Sequence, residues 1–378
     1  MEVKVIVGGD FCITTEHIDK SLFSDELTEL FINSDLNIVN LECPIVTNDL
    51  KKGIIKTGPN LSTSNDIFKH LRKIKIHALT LANNHILDFG REGVENTING
   101  CKENDISHVG AGLNFSDASE PTIIIKNGIR IGLVNFCENE WTIASDNNAG
   151  ANPIDIIDNI KQIKLARELS DFVLVIIHGG HEYYNLPSPR MIKQYRFFAE
   201  NGADAIIGHH THCISGYEIH NEVPIFYGLG NMLFTLPSLH ECWYSGLLVE
   251  LKLNKGEPIS WIFHPIKQSK KDYLVALKKG IEIDKTLNEI DGYSRILNDE
   301  SAFKEQWISF IKRHQKTISI FSPINIIPNR YIRGIMKLIG IDDFLLKRQN
   351  LPAILNHIRC EAHKDLIIEL FNNKIYNK

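Results

Sequence analysis

The chain has 378 residues, 43% hydrophobic and 23% charged, which supplies a sizeable core and argues against wholesale disorder. A formal net charge of −5 leaves no basic footprint, so nucleic acid is not an expected partner. Seven scattered cysteines make no disulfide framework and no aliphatic run approaches a membrane span, so a cytoplasmic chain without a transmembrane segment is expected.

In chain order, "MEVKVIVGGD" reads as a strand that starts almost at once, without the basic n-region and long apolar stretch of a signal peptide. "IDKSLFSDELTELFIN" reads as a helix, "LNIVNLE" as a strand, "STSNDIFKHLRKI" as a capped helix, "IHALTLANNH" as a strand and "GREGVENTINGCKEN" as a helix. "TIIIKNGIRIGLVNF" is two apolar runs around Asn127-Gly128, the preferred pair for a tight hairpin. "PIDIIDNIKQIKLAREL" is an amphipathic helix, "FVLVIIH" a buried strand, "SPRMIKQYRFFAENG" a helix and "ADAIIGHH" a strand. "GYEIHNEVPIFYGLGN" reads as a hairpin, and "GLLVELKLNKGEPISWIFHPI" as two further strands. Such alternation predicts an α/β fold with a mostly parallel sheet, to which the hairpins add antiparallel strands.

From about residue 267 the composition turns Lys/Glu/Ile-rich with helical periodicity, which divides the chain into 1–266 and a helical C-terminal extension, 267–378. Within it, "IFSPINIIPNRYIRGIMKLIGI" is apolar with interspersed arginines. Its prolines and interruptions favour a packed appendage over a membrane-surface helix.

The polar residues at strand ends carry the chemistry. Successive strands end in Asp10, in Glu42, in Asn83-Asn84-His85, in His178, and in His209-His210 with His212 two residues on. One polar residue after a strand is ordinarily a turn former. Five in phase point to a shared site at the carboxyl edge, and carboxylate, imidazole and amide oxygen suit borderline divalent metals such as Mn, Fe or Zn. If the chain stays extended, His210 and His212 face the same way, and His209 points elsewhere as a bystander.

The series "GGD", "NLECPI", "LANNHILDFGREGVENTI", "GAGLN", "HGGHEYYNLPSPR", "GADAIIGHHTH" and "PIFYGLGNMLF" resembles the motifs of the CapA proteins. These are named for capsule and poly-γ-glutamate synthesis and belong to the calcineurin-like metallophosphoesterase superfamily. The resemblance covers roughly residues 3–265. It implies a four-layer α/β/β/α sandwich of two mixed sheets around one or two divalent ions, with Mg admissible beside Mn, Fe and Zn. By the same resemblance Asp10 binds a first metal, Glu42 bridges, Asn84, His178 and His210 bind a second, and His212 returns to the first. His85 then protonates the leaving group or holds the substrate oxyanion, and Asp88 orients it. The superfamily's usual Asp-x-His is here Asp10-Phe11-Cys12, so one expected ligand is missing. Cys12 as a thiolate ligand is weighed against a buried inert cysteine, which is favoured.

His181, Glu182, Arg190 and Asn231 stand as candidates for contact with substrate or support of the metal edge. Exposed turn or helix-start roles are the competing reading for the first three. Cys43, Cys101, Cys137, Cys213, Cys242 and Cys360 form no C-x-x-C pair, so a structural zinc site is not expected. The expectation is a metal-dependent hydrolase of phosphoesterase type with metal-activated water as nucleophile. It would act on an anionic small molecule or polymer precursor in capsule or poly-γ-glutamate synthesis, with a capsule synthesis complex as the partner that would hold the chain peripheral to the membrane. The alternatives are a non-hydrolytic metal-binding assembly subunit and metal-assisted amide chemistry on glutamyl or amino-sugar substrates.

Overall fold

The computed structural model describes residues 2–47, 52–56, 58–314, 324, 327, 329–341, 351, 355 and 371. Cys360 and most of the helical stretch expected after residue 341 lie outside them. The first stretch alternates β1 (Glu2–Cys12), α1 (Asp25–Ile32), β2 (Leu36–Leu41), α2 (Ile67–Lys73), β3 (Ala78–Thr80), α3 (Gly90–Glu103) and β4 (Ser107–Val109). There follow β5 (Ala111–Gly112), α4 (Phe115–Ser119), β6 (Thr122–Lys126), β7 (Ile129–Cys137), β8 (Gly150–Ala151), α5 (Ile156–Leu169), β9 (Phe172–His178), α6 (Pro189–Glu200) and β10 (Ala205–His209). Strands β11 (Tyr217–His220), β12 (Val223–Phe226), β13 (Asn231–Phe234), β14 (Ser245–Asn254), β15 (Ser260–Gln268) and β16 (Val275–Leu277) precede helices α7 (Ile281–Asn298), α8 (Glu300–Arg313) and α9 (Arg330–Leu338).

Two mixed sheets result. One runs β16-β15-β14-β1-β2-β3-β4, with β13 also paired to β1; the other runs β11-β12-β10-β9-β7-β6. β1 to β4 are parallel neighbours, as are β7, β9, β10 and β12. The sheets share one apolar layer, in which Val5, Val7, Leu36 and Ile38 meet Ile131, Leu174, Ile176 and Ile207. Phe31, Phe68, Leu71 and Val94 close the outer face of the first sheet. Tyr195 and Phe198 of α6 cover the second, with the Phe198 ring 5.1 Å from that of Phe136. Helix, sheet, sheet and helix make the four-layer α/β/β/α sandwich. Each fully buried aliphatic side chain contributes about 1.5–3 kcal/mol, against about 1 kcal/mol for a helix cap. Burial in these apolar layers, rather than helix capping, is therefore the main hold on the fold.

The Asn127-Gly128 hairpin forms as its sequence predicts. β6 and β7 pair antiparallel across it, and both turn residues have positive φ (47° and 72°). β11 and β12 form a second hairpin around Asn221 and Glu222. Three expectations are corrected. The helix expected over 18–33 starts only at Asp25, because Ser24 caps it and Phe23 is held in a bridge to Val275. Asn231 is not on the β11–β12 hairpin; it opens β13, which pairs parallel with β1 in the other sheet. The strand expected to end in "ANNH" stops at Thr80, so Asn83 to His85 lie in a loop.

One glycine is dictated by close approach. β1 has register shifts around Asp10 against both β2 and β13. A Cβ on Gly9 would stand 1.8 Å from the carbonyl oxygen of Gly230, so only glycine lets the chain leading into β13 lie this close.

The chain divides into two compact units, Met1–Ala302 and Phe303–Lys378. The first extends past the change of composition near residue 267. β15 runs to Gln268, β16 pairs with it, and Ile290 of α7 is buried in the layer between the sheets. Tyr217 N–H also donates to Ser294 Oγ on α7 (3.0 Å).

Candidate metal centre

Strands β1, β2 and β3 of one sheet and β9 and β10 of the other deliver the site. Asp10 stands within β1, Glu42 just after β2, Asn84 and His85 after β3, His178 at the end of β9, and His210 and His212 after β10. Two groups of ligand atoms form, Asp10–Glu42–His212 and Glu42–His178–His210, each with its atoms within 4.8 Å of one another. Glu42 belongs to both. Its Oε1 lies 3.6 Å from His178 Nε2 and 3.8 Å from His212 Nε2, while His212 Nδ1 is 3.5 Å from Asp10 Oδ2. Asn84 Oδ1 is 3.0 Å from His178 Nε2, and His210 Nδ1 is 3.1 Å from that same nitrogen. Cys12 is in neither group; its thiol is buried in the core against Cys43.

Histidines 210 and 212 converge for a reason other than strand alternation. β10 ends at His209, and both later histidines take positive φ (87° and 50°), so a tight turn aims them. The His210 N–H donates to Asp10 Oδ2 (3.0 Å), which ties this turn to β1. His209 is fully buried and in neither group.

A ring of amides holds these side chains. Asn40 Nδ2 donates to Asp10 Oδ1 (2.7 Å) and lies 3.2 Å from His178 Nδ1. Asn83 Nδ2 donates to Asn40 Oδ1 (3.1 Å) and to the Leu41 carbonyl (2.8 Å), and its own Oδ1 accepts from His85 N–H. Asn231 Oδ1 lies 2.8 Å from His212 Nδ1 while its Nδ2 donates to the Trp243 carbonyl (3.0 Å). Both ends of the Asn231 amide are thus engaged in orienting His212, the outer-shell pattern of a ligand histidine.

Burial dominates the electrostatics. It raises Asp10 to about 7, against the opposing hydrogen bonds from Asn40 and His210, and pushes Glu42 well above the carboxylate range, helped by Asp10. It lowers His178 well below its ordinary value, with neighbouring imidazoles adding to the effect, and brings His210 to about 4 and His212 to about 3. Both Glu42 oxygens are buried without a hydrogen-bond partner. Glu42 Oε1 thus faces the imidazoles of His178 and His212, with no donor satisfying either carboxylate oxygen. That arrangement is costly alone and suits a divalent cation.

Beside this centre, His85 Nδ1 lies 2.7 Å from Asp88 Oδ2, which also accepts the Leu61 N–H (2.6 Å). Lys56 pairs with Asp88, lies 3.1 Å from His85 Nδ1, and is as buried as its partner. Arg190 is exposed, and its guanidinium is taken by Glu138 and Gln194. His181 and Glu182 are exposed on the turn after β9; partial burial raises Glu182, opposed by His85 and His240. Sequence reasoning missed Asn40, Lys56, and the aromatic rim of Tyr183, His240 and Trp243. Tyr183, at φ 60°, stacks on His240 at 3.8 Å, and the Trp243 ring lies 4.6 Å from that of His212. Asn40 had a usable signal: it is one of two asparagines in the buried strand β2, and it stands two places before Glu42. Lys56 had none, since it comes from the long connection between β2 and α2.

The capsule biosynthesis protein CapA of Bacillus anthracis is 35% identical over 210 residues, 53% of this chain and 51% of that protein. The PGA biosynthesis protein CapA of Bacillus subtilis is 33% identical over 208 residues, 54% of each. The chain thus spans about half the length of the curated relatives it matches. A solved structure described as a novel phosphatase, from Mycoplasma pneumoniae, aligns over 72% of this chain and 96% of its own at 15% identity, with a TM-score of 0.41, too distant to carry functional weight. Residues 5–236 match the family model for the bacterial capsule synthesis protein PGA_cap, and the chain belongs to that family.

Proposed function

We propose that this protein is a metal-dependent hydrolase of phosphoesterase type that acts in the synthesis of a capsule or related anionic polymer. The observation that carries the reading is Glu42, whose unpartnered oxygens are common to both ligand groups. Asp10, Glu42 and His212 would hold one divalent ion, and Glu42, Asn84, His178 and His210 a second. Bound there, such ions supply Lewis acidity, lowering the pKa of a water and countering charge on the electrophile.

The protein's own residues do the rest. Asn40 and Asn231 fix the rotamers of Asp10, His178 and His212. Asp88 and Lys56 engage Nδ1 of His85, which leaves Nε2 as the nitrogen that would pass a proton to a leaving oxygen. Lys56 balances the Asp88 charge, so the buried carboxylate need not draw its whole compensation from His85.

One observation favours amide substrates as a second reading. Glu140 is raised by partial burial and by the neighbouring carboxylates Glu138 and Glu182, and Arg190 is paired with Glu138. Such surroundings repel a polyanion and tolerate a neutral amide. Elemental analysis, followed by Mn-dependent turnover of an aryl phosphate diester, an aryl phosphate monoester and a γ-glutamyl anilide, separates the readings. Ester turnover lost in His178→Ala supports the first, and anilide turnover alone supports the second. Bound metal with no turnover of any of the three overturns both in favour of a non-hydrolytic assembly subunit.

A further inference from the structure

Residues 306–341 hold six basic residues (Lys312, Arg313, Lys316, Arg330, Arg333 and Lys337) and no acidic one, in a chain whose net charge is −5. α9 lies in this stretch. Asn329 caps it by accepting from the Tyr331 and Ile332 N–H groups, and no residue of the helix is buried. Tyr331, Ile332, Ile335 and Leu338, with Ile339 at the C-cap, are 68%, 48%, 60%, 87% and 65% exposed. At 100° per residue these five fall within about a third of the circumference, and Arg330, Arg333 and Lys337 fall opposite them. An apolar stripe this open is costly in water, and no described residue of its own unit covers it.

We propose that α9 is an in-plane anchor for an anionic lipid surface, lying in the headgroup region with its isoleucine face turned to the acyl chains. The charge pattern selects this occupant. Its all-basic polar face, opposite an open apolar stripe, complements a sheet of anionic headgroups over acyl chains. The metal centre is not involved, so this inference stands or falls independently of the proposed hydrolysis.

The test is co-sedimentation of the full chain with vesicles of phosphatidylcholine alone and of phosphatidylcholine mixed with phosphatidylglycerol. Each cation near an anionic leaflet strengthens binding by about fivefold, so the mixed vesicles are expected to bind roughly tenfold more tightly or better at low salt. Ile335→Asp should abolish binding and Ile335→Leu should retain it. The triple change Arg330→Gln, Arg333→Gln and Lys337→Gln should remove the preference for the anionic vesicles. Metal uptake equal to that of the parent chain identifies variants whose first unit is intact, and circular dichroism checks the helices. The proposal is overturned if the parent chain binds neither vesicle or both equally, or if Ile335→Asp binds as the parent does. It is overturned too if sedimentation velocity shows a dimer that Ile335→Asp dissociates, since a second copy of the chain would then cover the stripe.

Discussion

The side chains at the candidate centre sit where burial opposes their charged forms. Glu42 and Asp10 are carboxylates in a place that raises both, and His178, His210 and His212 are imidazoles in a place that lowers all three. His178→Ala is expected to strip metal from the protein, as read by elemental analysis after dialysis. His85→Ala is expected to keep metal and to slow turnover by about 10²–10⁴-fold. Full metal content and full activity in both variants would refute the assignment. Lys56 makes a separate prediction in stability. It and Asp88 form a buried pair, and removing one partner of such a pair costs about 3–5 kcal/mol by stranding the other charge. Lys56→Met should lower the urea midpoint accordingly, while Lys56→Met combined with Asp88→Leu should cost less than the single change. A loss in the double variant equal to the sum of the separate Lys56→Met and Asp88→Leu losses would mean that the pair contributes no coupling.

Among the elements, the two sheets matter more than any helix. Ile176→Ala, which opens a cavity between the sheets, is expected to cost about 2–5 kcal/mol. Asp155→Ala removes the cap that accepts from the Ile157 and Asp158 N–H groups and should cost about 1 kcal/mol. Chemical denaturation that ranked the two in the opposite order would contradict the primacy of core burial over capping. Gly9→Ala is a sharper probe, because it acts on an element and on the site together. The added methyl meets the Gly230 carbonyl at 1.8 Å, so either the β1 irregularity or the approach to β13 must give way. Both carry metal-edge residues, Asp10 on β1 and Asn231 on β13, so metal affinity should fall along with stability.

For the molecule as a whole, the centre links metal, protons and folding. Folded Asp10 titrates at about 7 against its ordinary 3.8, so without metal it binds a proton that the unfolded chain has released over that interval. This contribution alone makes stability fall as pH rises from about 4 to about 7. The lowered histidines act oppositely: between about 4 and 6.5 the unfolded chain holds protons that His210 and His212 lack, so their contribution rises with pH. Metal requires the carboxylates charged and the imidazoles neutral. The melting-temperature gain from added Mn should therefore grow as pH increases through about 7. A gain independent of pH would show that Asp10 does not contribute to binding. By itself the sequence determined the alternation of strand and helix, the Asn127-Gly128 hairpin, and the identity of the polar residues in or after five strands, because each is written in local periodicity or turn chemistry. It also carried the family motifs. Only the tertiary structure decided that two separate sheets supply those residues, that positive-φ turns rather than an extended strand aim His210 and His212, and that Asn40 and Lys56 complete the surroundings. These depend on contacts between segments far apart in the chain, and long-range packing leaves no periodic mark in a single sequence.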